Sequence, residues 1–140
     1  MGQNMKNVLI ICTSNKTRSP LAMEIANSLA EKRNVNCRFQ SAGIAIMGEQ
    51  IDDNVKTALS EIGIETQYKP THISKLNINE FDEFHVMTER QKITLQSYFK
   101  GRKLDDRILV LGVEDPYFNG IEAYRKCRDE LVAFYEEYLK

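Results

Sequence analysis

The sequence predicts an α/β fold, a three-layer sandwich in which a four-stranded parallel sheet carries helices on both faces. Two observations point to it. Short apolar runs alternate along the chain with apolar stripes at helical spacing, and that alternation implies βαβ units and a parallel sheet. The first run, Val8 to Ile11, is continuously apolar, as suits a strand buried on both faces. At 140 residues the chain fits one domain, 1–140, able to bury roughly two thirds of the surface its unfolded form exposes.

The elements follow in order. Beyond Ile11, Leu21, Ile25 and Leu29 recur every four residues with Ala22 and Ala26 beside them, the buried stripe of a helix. Pro20 suits the first helical position, and Ser19 before it can cap. CRFQSAG, Cys37 to Gly43, reads as a second strand ending at a glycine. Asp52 and Asp53 offer an N-cap to a helix whose Val55, Ala58, Leu59 and Ile62 form one stripe, closed by Gly63. FDEFHVMT, Phe81 to Thr88, is the third strand, and a helix over Glu89 to Phe99 places Ile93, Leu95, Tyr98 and Phe99. Arg107 to Gly112 is the fourth strand and runs into the turn-rich VEDPYFNG. In the last helix Tyr124, Cys127, Leu131, Phe134, Tyr135 and Tyr138 fall on one face.

Composition narrows the function. Net charge is −1, with 28% charged residues and no basic or acidic tail, so nothing invites nucleic acid. No apolar run approaches the roughly 20 residues of a membrane span, and MGQNMKNVLII is too short and polar for a secretory signal, so a cytoplasmic location without membrane attachment is expected. Three cysteines at irregular spacing suit free thiols better than a disulfide framework.

One of those thiols sits in the most informative stretch, NVLIICTSNKTRSPLAMEI. Here a strand runs into Cys12, and Thr13, Ser14, Asn15, Lys16, Thr17, Arg18 and Ser19 crowd into one turn before a helix. Successive N–H groups in such a turn form a nest for an anion, and the helix N-terminus adds its positive end. Arg18 can grip two oxygens of a phosphate with its planar fork. The same field favours a thiolate over a thiol, which would make Cys12 a nucleophile aimed at the phosphorus its own loop holds. A cysteine at a strand end is ordinarily a small buried residue. The combination of Cys, five residues, Arg, Ser and Pro between a strand and a helix outweighs that reading for Cys12, whereas Cys37 and Cys127 lack it and belong to the core.

These residues resemble the signature of the low-molecular-weight protein tyrosine phosphatases, and the resemblance spans nearly the whole chain. SAG at Ser41 to Gly43 and DPYFNG at Asp115 to Gly120 sit where that family has its second and third signatures. The resemblance implies a phosphotyrosine-containing protein as substrate, with a tyrosine kinase among candidate partners, and inorganic phosphate or another oxyanion in the loop. It implies no metal and no cofactor. Cleavage of an aryl phosphate needs an acid for the leaving oxygen. Asp115, in the loop after the fourth strand at the same sheet edge as Cys12, is the candidate, and the resemblance implies that it later activates water. Tyr117 and Phe118 are implied to line the pocket wall, where a ring can stack on the substrate for about 0.5–1.5 kcal/mol. Asn15 is implied to take a left-handed backbone, hydrogen-bonded to Ser41 and His72. His85, in a strand candidate, reads as structural.

The chain departs from the family at several points. Ser14 stands where a glycine is usual, and Thr17 where a second cysteine commonly guards the nucleophile. Lys16 replaces an aliphatic neighbour of the substrate ring, so a cation at the pocket mouth favours phosphotyrosine over a phosphorylated guanidinium. Ile44 to Gln50 lacks an aromatic residue opposite Tyr117. Rival readings are a protein-arginine phosphatase on the same fold, a phosphocarrier, which has no use for Asp115, and a phosphotyrosine-binding module without turnover. An arsenate reductase would need relay cysteines near FDEFHVMTER, which has none.

Overall fold

The computed structural model describes residues 4–117 and 119–140. Four strands, β1 (Lys6–Cys12), β2 (Cys37–Gly43), β3 (Glu83–Val86) and β4 (Ile108–Val110), form one sheet in the order β2-β1-β3-β4. Every pairing is parallel, and the register aligns Cys12 with Gly43, Ile11 with Val86, and Val86 with Val110. The carboxyl ends of the strands therefore meet at one edge, where ligands of such sheets bind.

Side chains of β1 alternate between two cores. Val8, Ile10 and Cys12 pack with α1 (Arg18–Lys32), α2 (Asp53–Ser60) and α4 (Ile121–Tyr138), while Leu9 and Ile11 pack with Phe84, Val86 and Leu95 of α3 (Glu89–Tyr98) on the other face. Val8 to Ile11 are fully buried, each worth about 1.5–3 kcal/mol relative to exposure. The continuous apolar run thus reports burial on both faces.

Several boundaries shift. α1 begins at Arg18, not Pro20, and Ser19 does not cap it: Thr17 holds the cap position without a side-chain bond, and Ser19 turns inward to the loop. Pro20 remains in the first turn, where its missing N–H costs nothing. α2 ends at Ser60, which leaves Ile62 off the buried stripe and 38% exposed beside Gly63, whose φ is 81°. On α3 only Gln91 and Leu95 are buried and Ile93 points outward. The third strand is shorter than Phe81 to Thr88, because Phe81 closes a 3₁₀ turn and Thr88 caps α3 by accepting from the Gln91 N–H. The fourth is shorter than Arg107 to Gly112, because Asp105–Arg107 form another such turn. Beyond β4 the pairing continues irregularly: Leu111 N–H donates to Val86 and Val113 N–H to Met87, at 2.8 and 3.1 Å. Those two bonds lead the chain to Asp115 beside the end of β1.

His85 is fully buried on the α4 side of the sheet. Its Nδ1 lies 2.8 Å from the Tyr135 hydroxyl and its Nε2 2.7 Å from a Glu83 oxygen. Burial depresses the pKa of the imidazole, so the neutral ring accepts from Tyr135 and donates Nε2–H to Glu83. The structural reading of His85 holds.

Candidate active site

The segment from Cys12 to Arg18 wraps around the end of β1 and is held from four sides. Asn15 is the hub, fully buried with φ 58°, a left-handed backbone that asparagine tolerates better than most residues. Its Nδ2 donates to the Ser19 and Ser41 hydroxyls at 2.7 and 3.1 Å. Its Oδ1 accepts from the Tyr68 hydroxyl at 2.6 Å and the Thr71 N–H at 2.8 Å. All four hydrogen-bonding positions of the amide are used. His72 is not among the partners, contrary to expectation. Its Nε2 faces the Ile44 carbonyl at 2.9 Å and its Nδ1 the Ser74 hydroxyl and N–H, so it staples the loop after β2. Tyr68 and Thr71, which supply the contacts expected of His72, escaped the sequence reading because their segment carries no periodic pattern.

On a second side, the Thr13 carbonyl accepts from the Ile44 and Ala45 N–H groups at 2.9 and 2.8 Å. That close approach requires Gly43: a Cβ there would lie 2.8 Å from Asn15 Cβ and 2.9 Å from the Thr13 oxygen. Third, Gln91 receives the Met87 N–H at 2.9 Å and extends its Nε2 to within 3.4 Å of the Thr13 hydroxyl. Fourth, Asp52 accepts from the Thr17 and Tyr124 hydroxyls at 2.5 and 3.0 Å, and lies 3.9 Å from the Lys16 ammonium. Asp52 occupies the N-cap of α2, as expected, but its side chain makes no capping bond.

Inside this frame the Cys12 sulfur, nearly buried, receives the Asn15 N–H at 3.3 Å and lies 2.9 Å from the Ser19 hydroxyl. Arg18 donates Nη1–H to the Val113 carbonyl at 2.9 Å, and its Nη2 lies 3.8 Å from Asp115 Oδ2. Asp115 Oδ1 accepts the Tyr117 N–H at 3.0 Å, which holds the carboxylate at the head of its turn. One cavity of about 390 Å³ is lined by Cys12, Thr13, Ser14, Lys16, Thr17, Arg18, Met47, Asp52, Asp115 and Tyr117. The structure thus brings together the cysteine, the arginine and the carboxylate singled out in the sequence, with Ser14 and Lys16 on the same wall. Met47, overlooked in the sequence, supplies an apolar wall where no aromatic residue was found. Phe118 lies outside the described residues. Among the described residues no group of three or more His, Cys, Asp or Glu side chains is placed to hold a metal ion.

Parallel strands whose carboxyl ends share one edge, with a cysteine, an arginine and a carboxylate lining one cavity there, define a class of α/β proteins that bind their ligand beyond the ends of the strands. The chain belongs to a particular family within it, the low molecular weight phosphotyrosine protein phosphatases, whose family model matches residues 7–140. It is 30% identical over 132 residues to a protein-arginine-phosphatase of Geobacillus stearothermophilus, covering 89% of this chain and 87% of the relative. It is also 30% identical over 155 residues to the low molecular weight phosphotyrosine protein phosphatase 1 of Drosophila melanogaster, covering 97% and 99%. Among solved structures it is similar to a low molecular weight protein tyrosine phosphatase from T. tengcongensis, with a TM-score of 0.86 at 26% identity over 95% of this chain and 97% of that one. The chain is accordingly an enzyme, a phosphatase acting on phosphoprotein substrates. No helix among the described residues is long and apolar enough to cross a membrane.

Proposed function

We propose that the chain is a single-domain protein-tyrosine phosphatase that hydrolyses aryl phosphate monoesters through a phosphocysteine on Cys12. The observation that carries this reading is the convergence of Cys12, Arg18 and Asp115 on one cavity from two separate loops. The Ser19 hydroxyl and the Asn15 N–H stabilise a thiolate as donors. The remaining amides of the Thr13 to Thr17 turn and the Arg18 guanidinium hold the phosphate. The thiolate then attacks phosphorus, the S–P bond forms as the P–O bond breaks, and Asp115 gives its proton to the leaving aryl oxide. In the second half-reaction Asp115 takes a proton from water, water oxygen bonds to phosphorus, and the S–P bond returns its electrons to Cys12.

Tyr117 and Met47, which both line the cavity, would contact a bound tyrosine ring, and a tyrosine kinase is a fitting partner for the same substrates. Free Cys12, Cys37 and Cys127 suit a reducing, cytoplasmic compartment. A protein-arginine phosphatase is the second reading, favoured by the Geobacillus relative and by the carboxylates of Asp52 and Asp115 in the cavity wall, which could face a guanidinium. The Lys16 ammonium opposes it, although Asp52 lies 3.9 Å away and offsets part of its charge.

Hydrolysis of an aryl phosphate in the presence of chelator, by wild type and by Cys12→Ser, tests the cysteine mechanism. Loss of turnover in the variant supports it, and a wild type with no turnover overturns it. Asp115→Asn should lose about 10²–10⁴-fold in turnover on a poor leaving group while still binding phosphate. Phosphotyrosine and phosphoarginine peptides of one sequence decide the substrate: a higher kcat/KM on the phosphoarginine peptide would replace the first reading by the second.

A further inference from the structure

Asp52 is an unexpected lining for an oxyanion cavity, because a carboxylate there repels the dianion the loop is built to hold. It also forgoes the role its position suggests. At the N-cap of α2, with φ −64° and ψ 139°, its side chain could accept an N–H from the first turn, yet makes no such bond. The carboxylate turns to the loop instead, and its side chain is only 13% exposed.

Its contacts grip two consecutive loop residues. The Asp52 N–H donates to the Lys16 carbonyl at 3.1 Å, its Oδ2 accepts from the Thr17 hydroxyl at 2.5 Å, and its Oδ1 lies 3.9 Å from Lys16 Nζ. In a trans peptide the N–H points opposite to the C=O. Tying the Lys16 carbonyl to the start of α2 therefore turns the Thr17 N–H away from α2. Since a carboxylate only accepts, Thr17 must spend its hydroxyl proton on Asp52, and Thr17 is left to meet an anion through its main chain. Tyr124, on α4, donates to the same Oδ2 at 3.0 Å and braces the carboxylate from behind. Burial, with the Asp52 charge beside it, pushes the Tyr124 pKa well up, so that phenol stays a donor.

We propose that Asp52 is a positioning residue for phosphoryl transfer: it sets the Lys16–Thr17 peptide and the Thr17 side chain so that the loop amides converge on the oxyanion, and it holds the Lys16 ammonium at the cavity mouth. The proposal rests on the phosphatase reading above but can fail independently of it. Asp52 touches no reacting atom; it acts through Thr17 and Lys16. Hydrogen bonds to a charged group are worth about 1.5–3 kcal/mol, so losing them corresponds to roughly 10–100-fold in the quantity they support.

The test compares wild type with Asp52→Ala, Asp52→Asn, Thr17→Val, Tyr124→Phe and the double variant Asp52→Ala, Thr17→Val. Three quantities are read: inorganic phosphate affinity by calorimetric titration, kcat and KM on an aryl phosphate, and thermal midpoint. Asp52→Ala should lose about 10–100-fold in kcat/KM and bind phosphate more weakly. Asp52→Asn, whose amide oxygen still accepts from Thr17 and Tyr124, should recover most of that loss. The double variant should be no worse than the poorer single one, since both remove the same bond. Wild-type phosphate affinity and kcat/KM in Asp52→Ala would overturn the proposal. So would losses that multiply in the double variant, or an Asp52→Asn as damaged as the alanine. Should Asp52→Ala fail to fold, Thr17→Val and Tyr124→Phe remove its two hydroxyl contacts one at a time; Thr17→Val should then bind phosphate more weakly and lose kcat/KM, Tyr124→Phe should do so to a smaller degree, and wild-type values in both would overturn the proposal. Absence of Cys12-dependent turnover in the wild type would defeat the phosphatase reading alone, because the phosphate titration judges Asp52 without turnover.

Discussion

Replacing Asn15 with alanine removes the hub of the loop, and the structure sets the size of the effect. Three costs arise. The residue sits at φ 58°, where an L side chain without a local polar contact pays about 1–2 kcal/mol. The Thr71 N–H loses its acceptor Asn15 Oδ1, at 2.8 Å, which costs about 1–3 kcal/mol for a buried donor and falls toward the low end here because Thr71 is only partly buried. Tyr68 fares better, since its hydroxyl also reaches the Ser41 carbonyl at 2.9 Å. The Ser19 and Ser41 hydroxyls lose an amide donor, a net of about 1 kcal/mol. A total near 3–5 kcal/mol is a large share of the 5–15 kcal/mol by which such domains are stable.

Urea unfolding of wild type, Asn15→Ala and Asn15→Gly separates these contributions. Glycine relieves the backbone cost and leaves the hydrogen bonds missing, so it should be about 1 kcal/mol more stable than alanine. A loss below about 1 kcal/mol in Asn15→Ala, or a glycine variant no better than alanine, would refute the reasoning.

Gly43→Ala forces a Cβ to 2.8 Å from both Asn15 Cβ and Ile46 Cδ1, so urea unfolding should show a loss of about 1–3 kcal/mol together with weaker phosphate binding; a neutral variant would mean the loop yields freely. Stability should fall as pH drops below about 6.5, because burial holds the His85 pKa down and the unfolded chain takes up its proton first. It should fall again between about 4.3 and the value near 2 to which His85, Tyr138 and Lys6 hold Glu83, and unfolding midpoints at pH 7.5, 5.5 and 3.5 would show both legs. His85→Asn should flatten the first leg, and an unchanged slope would disprove the assignment. Mild peroxide should carry Cys12 to the sulfinic acid, read by intact mass, since Thr17 offers no partner thiol. A disulfide from Cys12 to Cys37 or Cys127 would contradict this.

The parts legible in the sequence are those whose signal is local. The Cys12 to Arg18 loop could be read from a strand, a turn inventory and a helix in immediate succession, whereas Asn15's left-handed backbone and its bond to Ser41 were legible only through the family resemblance. Asp115 could be read because the strand before it ends at the same edge. Contacts set by distant segments were not legible. Tyr68 and Thr71 reach Asn15 across 53 and 56 residues from an aperiodic stretch, whose register is set by a single bridge between Gly43 and His72. That bridge places the His72 ring on the Ile44 carbonyl and so away from Asn15. Asp52 before Asp53 is a sound cap signal by local rules, and only the packing of α4 against the loop, through Tyr124, shows why its side chain points elsewhere. Ile62 fits a helical stripe by spacing and Ile93 is an apolar residue the third helix was expected to place, yet helix length in one case and the position of the sheet in the other leave them in solvent.

Arg18 joins the two halves of the site. It opens α1 immediately behind the anion nest, so its charge adds to the helix end, yet one of its nitrogens is committed to the Val113 carbonyl of the other loop at 2.9 Å. Val113 in turn hangs from Met87 at the end of β3, two residues before Asp115. The distance between Cys12 and Asp115 is therefore set by a path through β1, Arg18 and Val113 and through β1, β3 and Val113, and not by the free conformation of a surface loop. The remaining nitrogen, 3.8 Å from Asp115, is weakly engaged and available to an arriving anion. A planar guanidinium can serve both tasks because its donors diverge in fixed directions; an ammonium, a point charge on a flexible stem, could hold the phosphate or the loop but not align the two.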